Sequence, residues 1–530
     1  MKTKALKVYF ITFVLIGNIQ LQSGAQVWQP DNGDGTYKNP IIFADYSDPD
    51  VIRVKDDFYM VASSFNCTPG IPVLHSKDLV NWTIIGHVYE NLPLQRYDHL
   101  QAGEGSWAPS IRYHNGKFYV YFCTPTDGLF MASTTDPSKN WELVHVADVV
   151  NWEDPCPIWD DNGDAYLVRS KVCACVLYLH KLSPDGKKLL DNGKVIFDDI
   201  KLQPTIEGPK FIKKDGYYYI LAPAGGVPTG WQAVLRSKNI YGPYEQKTVL
   251  HQGNTSINGP HQGGLVETQS GEWWFVHFQD RGTYGRIVHL QPAEWIEGWP
   301  IIGKDINNDG VGEPVMAYKK PNVGKSFAIT NPQTSDEFGS GNLGLQWQWW
   351  ANGKQEFYSL IANKGYIRLF ANQVLTESGN PWYAPNLLLQ KFPAPHFSGT
   401  TCLTFHPQKE NERAGLVIMG ENYSFIGITK SGKNYTISQC VGDNNNCGGT
   451  PKEIKSVIVD KSTVYFKVNV DQNAVCTFSY SLDGKNFTPL GTEFKAKRGK
   501  WIGAKIGVFC INPNVEKSTG YGDFDWFRIE

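Results

Sequence analysis

Thr205-Ile206-Glu207-Gly208-Pro209, then Phe211-Ile212, the turn Lys214-Asp215-Gly216 and the run Tyr217-Tyr218-Tyr219-Ile220 read together as a β-hairpin led by a carboxylate. An Asp-Gly pair between apolar, aromatic runs is a strong short-range hairpin signal. The same plan recurs at Phe58-Tyr59-Met60-Val61, Phe118-Tyr119-Val120-Tyr121, Ala165-Tyr166-Leu167-Val168 and Trp273-Trp274-Phe275-Val276, each behind a polar turn. The intervals are roughly 50–60 residues, the range of propeller blades and kelch-like units. Before each turn lies a second strand opened by proline: Asp48-Pro49, Trp107-Ala108-Pro109, Asp154-Pro155, Glu207-Gly208-Pro209 and Gly259-Pro260-His261. Proline is tolerated at a strand's first residue, where no ladder donor is needed. In a propeller the innermost strands surround one channel, so Asp48, Trp107, Asp154, Glu207 and His261 are expected to form a ring.

Outward from these hairpins the chain divides in two. Its 530 residues exceed one ordinary core, and 52 Gly, 31 Pro and 13% aromatic residues favour many short strands over long helices. The fold class is therefore all-β: a five-bladed β-propeller over residues 26–320, a linker at 321–335 rich in Lys, Pro, Asn, Gly, Ser and Thr, and a β-sandwich over 336–530. The strand Gly285 to Leu290, with Trp295 and Trp299-Pro300, reads as the region that closes the propeller. In the second domain, alternating runs such as Tyr366 to Phe370, Tyr465 to Val468 and Ile506 to Phe509 indicate antiparallel strands, and Phe524-Asp525-Trp526-Phe527 is expected to pair near Asp336-Glu337-Phe338.

Residues 1–25 read as an export signal, with basic Met1-Lys2-Thr3-Lys4, an apolar run from Val8 to Ile16 and the small residues Ser23-Gly24-Ala25, which places the protein in the periplasm or outside the cell. That apolar run is shorter than the ~20 residues a membrane span needs, and no later stretch qualifies. A formal net charge of -2 without a long basic run excludes the electrostatic footprint of nucleic-acid binding and leaves neutral partners. Of ten cysteines, Cys67, Cys123 and Cys510 sit in apolar strand patterns. Cys173 and Cys175 alternate along one strand without metal-ligand spacing, and only Cys440 and Cys447, across an Asn/Gly loop, are placed to pair.

Carboxylates crowded on one axis push each other's protonation apart and so suit acid and base work. Acetal hydrolysis needs such a pair, one acid for the leaving oxygen and one carboxylate on the other side of the sugar. Asp48 and Glu207 stand two blades apart, which favours the longer, inverting separation. The opposing reading is a propeller or sandwich that binds a glycan without cutting it.

Taken together, Ser47-Asp48-Pro49-Asp50-Val51, His75-Ser76-Lys77-Asp78-Leu79-Val80-Asn81-Trp82, Trp107-Ala108-Pro109, Thr205-Ile206-Glu207-Gly208-Pro209, Gly285-Arg286 and Gly522-Asp523-Phe524-Asp525-Trp526-Phe527 resemble glycoside hydrolase family 43. The likeness is to its two-domain β-xylosidase and α-L-arabinofuranosidase members with a C-terminal concanavalin-like sandwich. It implies an exo-acting, inverting enzyme that releases a terminal pentose from arabinose- or xylose-bearing oligosaccharides of plant hemicellulose. It implies Asp48 as general base, Glu207 as general acid and Asp154 as the carboxylate that orients the acid and tunes its pKa. Arg286 matches an arginine near the sugar, and Trp107 and Phe65 would wall in the pentose. Phe509 matches a sandwich position that reaches over the mouth of the site. No cofactor is required; the resemblance counts His261 among the substrate-binding residues, as the channel histidine that approaches a bound calcium or a water cluster, and implies a further structural calcium in the sandwich near Asp336 and Asp525. The loop Ser63-Ser64-Phe65-Asn66-Cys67-Thr68-Pro69-Gly70 departs from the aromatic-rich loop of strict β-xylosidases, which tilts the expectation toward α-L-arabinofuranosides.

Overall fold

A computed structural model describes residues 27–374, 379–443, 449–514 and 516–530. Five four-stranded antiparallel sheets follow one another along the chain, each with its strands in sequence order. Their innermost strands are Asp50–Val54, Trp107–His114, Trp152–Trp159, Lys210–Lys214 and His261–Glu267, and this is the five-bladed propeller. The hairpins form where the turn chemistry places them. His114 pairs with Lys117 and Lys214 with Tyr217, leaving two-residue loops whose members, Asn115-Gly116 and Asp215-Gly216, all have positive φ. That conformation matches the twist of the flanking strands and suits Asn, Asp and Gly. Strand Lys117–Thr124 exposes only its first residue, because blades cover it on both faces.

The ring is closed by the N-terminal segment. Ile42 and Val288 exchange backbone hydrogen bonds, Tyr46 N donates to Arg286 O, and Thr36–Lys38 pairs with Ala317–Lys319. The expected closing strand thus receives the other end of the domain.

The second domain packs two eight-stranded sheets face to face. The run Thr463–Val470 alternates between buried and more open positions, placing Val464, Phe466 and Val468 in a core with Leu416, Val508 and Phe524. Asp336 and Phe527 form the expected bridge between the domain's two ends. The domains are pinned together at blade one's loop, where Thr68 pairs with Trp349, Asn66 Nδ2 donates to Trp350 O at 2.8 Å and Thr68 Oγ1 to Ala351 O at 2.6 Å. Phe43, Tyr284 and Ile287 of the propeller belong to the sandwich's own hydrophobic core.

Cys173 and Cys175 do not alternate along a strand. The strand Ala165–Lys171 ends before them, and both adopt left-handed φ in the following turn. Cys440 is buried with Ser438 Oγ 3.6 Å from its sulfur, while Cys447 lies outside the described residues, as do residues 1–25.

Candidate active site

At the start of every blade the backbone takes one left-handed residue: Asp48 (φ 54°), Ala108 (33°), Asp154 (57°), Gly208 (57°) and Gln262 (40°). These five are equivalent, and so are the residues before them, Ser47, Trp107, Glu153, Glu207 and His261. The ring read from the sequence mixes the two sets, because it aligned carboxylates rather than distance from the proline. The blade-three counterpart of Glu207 is Glu153, not Asp154. Positive φ in non-glycine residues costs free energy and gathers where a site needs a side chain aimed against its preference.

These turns bring Asp48, Glu153, Asp154 and Glu207 to one cavity of about 520 Å³, within the range of small-molecule sites. Asp48 is 3% exposed, and both its oxygens are held: Arg286 Nη1 donates to Oδ1 at 2.7 Å and Ser63 Oγ to Oδ2 at 2.6 Å. Asp154 Oδ2 accepts from Gly208 N at 2.7 Å and Ser170 Oγ at 3.1 Å. Burial first and the neighbouring Glu207 second push the Asp154 carboxyl up to about 7. Glu207 Oε1 lies 2.7 Å from His261 Nε2. Burial pushes Glu207 upward, but the His261 bond and the Arg286 charge outweigh it and hold the carboxylate below its ordinary range. The negative charge of Glu207 thus helps Asp154 keep its proton.

The walls are aromatic. Phe65 and Trp107 meet edge-on at 6.3 Å, and Trp107 meets Trp501 of the sandwich at 6.0 Å. Trp501, 43% exposed, lines the cavity. Phe509 does not line it: it is fully buried just behind that wall, in one apolar cluster with Phe65 and Cys67 of the propeller and Phe425, whose ring is 5.2 Å away. The second domain reaches the mouth through Trp501 instead. His261 is also fully buried and stands behind Glu207, outside the cavity lining, so it touches the acid rather than a sugar.

The sequence profile for Glycosyl hydrolases family 43 matches residues 37–300, and the profile for the beta xylosidase C-terminal Concanavalin A-like domain matches residues 335–530. A protein of Xylanibacter ruminicola, provisionally named a beta-xylosidase, is 43% identical over 90% of this chain and 86% of its own. The chain belongs to glycoside hydrolase family 43. Another relative of this family-43 enzyme is the beta-xylosidase of Formosa agariphila, 34% identical over 94% of this chain and 91% of its own. The non-reducing end alpha-L-arabinofuranosidase BoGH43B of Bacteroides ovatus is 29% identical over 93% and 94%. The crystal structure of the GH43 protein BlXynB from Bacillus licheniformis superposes with a TM-score of 0.81 at 27% identity, over 93% of this chain and 99% of that one.

The resemblance implies a calcium, in the channel or in the sandwich. Calcium takes six to eight oxygen ligands, whereas His261 offers one unpartnered ring nitrogen, Nδ1. Among the described residues no group of three or more His, Cys, Asp or Glu is arranged to hold a metal ion. Asp336 spends its carboxylate on Phe338 N, Gly344 N and Trp347 Nε1, and Asp525 lies beside Glu337 and Arg528. These residues do not fit a calcium cage.

Proposed function

We propose that this enzyme removes one terminal pentose at a time from xylose- or arabinose-bearing oligosaccharides, with inversion at the anomeric carbon. The observation that carries this reading is a single cavity with Asp48, clamped by Arg286 and Ser63, on blade one and Glu207 on blade four. Asp48 takes a proton from water as the water oxygen attacks the anomeric carbon. The bond to the leaving oxygen breaks, and Glu207 delivers a proton to that oxygen. The fifth blade separates the two carboxylates, in keeping with the ~6.5–9.5 Å that leaves room for water. Trp501 and the loop carrying Phe65 narrow the mouth, which suits an exo-acting pocket. Relatives named beta-xylosidase at 43% and 34% identity weigh against the preference for arabinofuranosides taken from the Ser63 to Gly70 loop, and β-D-xylosides lead. Residues 1–25 support export to the periplasm or beyond, and among the described residues no helix is long and apolar enough to cross a membrane.

Following a β-xyloside digest by proton NMR tests the reading: α-xylose is expected as the first product, ahead of mutarotation. β-Xylose appearing first would overturn the inverting mechanism.

The Asp154–Glu207 pair sets the alkaline side of activity. Glu207 is held below the ordinary carboxylate range, so kcat/KM on a substrate with a poor leaving group is expected to fall as the pH rises and the acid loses its proton. Asp154→Asn removes one negative charge from beside Glu207, and asparagine tolerates the left-handed backbone at this position. The Glu207 proton is then held less tightly, and the alkaline limb moves to lower pH. A limb that stays in place would show that Asp154 does not act on the acid.

A further inference from the structure

Blade three presents a carboxyl group that this mechanism does not use. Glu153 precedes the left-handed Asp154 as Glu207 precedes the left-handed Gly208, so the two glutamates hold the same position on adjacent blades and line the same cavity. Glu153 is 8% exposed, and among the described residues no Lys, Arg or His pairs with it. The charged groups that bear on it are Asp154, Glu207 and Asp48, all carboxylates, with Ser170 its hydrogen-bonding neighbour. A buried carboxyl among like groups and without a cation is costly unless it is neutral and partnered. Burial first, and then Asp154 and Glu207, push it up to about 9. It is therefore a carboxylic acid at neutral pH, with one O–H donor and spare acceptor capacity. That combination complements a sugar hydroxyl, which also both donates and accepts. Glu153 stands on the blade beside that of Glu207 and two blades from Asp48, so it neighbours the acid that serves the leaving oxygen rather than the base that serves water.

We propose that Glu153 is a specificity-determining residue whose carboxyl group hydrogen-bonds a hydroxyl of the sugar on the leaving side of the scissile bond. This rests on the glycosidase reading above. It predicts that Glu153 distinguishes a sugar leaving group from an aryl one carrying no sugar hydroxyls.

The test compares kcat/KM on a pentosyl-xylose disaccharide with kcat/KM on the nitrophenyl glycoside of the same pentose, for the wild type, Glu153→Gln and Glu153→Met. Methionine keeps the volume and removes the polar atoms; glutamine keeps one donor and one acceptor. In Glu153→Met the disaccharide-to-aryl ratio is expected to fall by roughly tenfold, the worth of about one hydrogen bond, mainly through KM for the disaccharide. Glu153→Gln is expected to hold the ratio within about threefold. An unchanged ratio in Glu153→Met, or a glutamine variant as impaired as the methionine one, overturns the proposal. If Glu153→Met does not fold, deoxy disaccharides lacking one leaving-side hydroxyl each are compared on the wild type and Glu153→Gln. One of them should lose about tenfold on the wild type, and none losing overturns it. A wild type that cleaves neither substrate counts against the glycosidase reading instead. Calorimetric binding of the disaccharide then decides on Glu153 separately, weakened binding in the methionine variant alone supporting it and equal binding in all three overturning it.

Discussion

Asp48→Gly is expected to lower hydrolysis of β-xylosides and α-L-arabinofuranosides alike by roughly 10²–10⁴-fold, whatever the leaving group, because water loses the group that takes its proton. This is about 3–5 kcal/mol of transition-state stabilisation. Glycine is the informative replacement here. The backbone at Asp48 has φ 54°, which glycine adopts without penalty, so the variant removes a carboxylate without straining the blade. The vacated space should admit azide, an anion that needs no base. Azide is expected to restore cleavage of an activated aryl glycoside and to yield a glycosyl azide of inverted configuration. Wild-type rates in the variant, or an azide product that retains configuration, would sink the base assignment.

Glu207→Gln should discriminate by leaving group instead. On an unactivated sugar–sugar bond the loss is expected to be roughly 10²–10⁴-fold. On a dinitrophenyl glycoside, whose leaving group departs as an anion, it should be small. Glutamine is chosen because it leaves buried His261 with a polar neighbour, where alanine would strand Nε2 without one. Equal losses on both substrates would remove Glu207 from the acid role.

Much of this arrangement could be read from local pattern. Asn115-Gly116 and Asp215-Gly216 announce their turns, since few other residues accept positive φ at both positions of a two-residue loop. Asp48, Trp107, Asp154 and Glu207 were legible as members of one cavity because each opens a blade within two residues of a proline. Glu153 escaped notice although a signal was present: Trp107, Glu153 and Glu207 all stand two residues before a proline. Counting from that proline, instead of matching carboxylate to carboxylate, would have found it. Trp501 had no such marker. It lies in the irregular stretch between Ala496 and Ala504, and only the docking of one domain on the other brings it to Trp107. Phe509, taken from the resemblance, stands one layer behind Phe65 rather than at the mouth, since a matched position in sequence does not show which neighbour covers it.

Asp45 ties these observations together. It is 3% exposed, and it accepts Arg286 N at 2.8 Å with one carboxylate oxygen and Gly503 N of the sandwich at 2.9 Å with the other. The arginine that holds Asp48 and the loop that carries Trp501 are thus fastened to the same side chain. For anyone recombining genes of this type, the linker is a deceptive place to cut. A chimera joined there would inherit a propeller whose Asp45 is shaped for a loop that the new partner need not possess. Successful exchange would have to carry the stretch from Arg498 to Ala504 along with the propeller, as though it were that domain's own sixth contribution to the site.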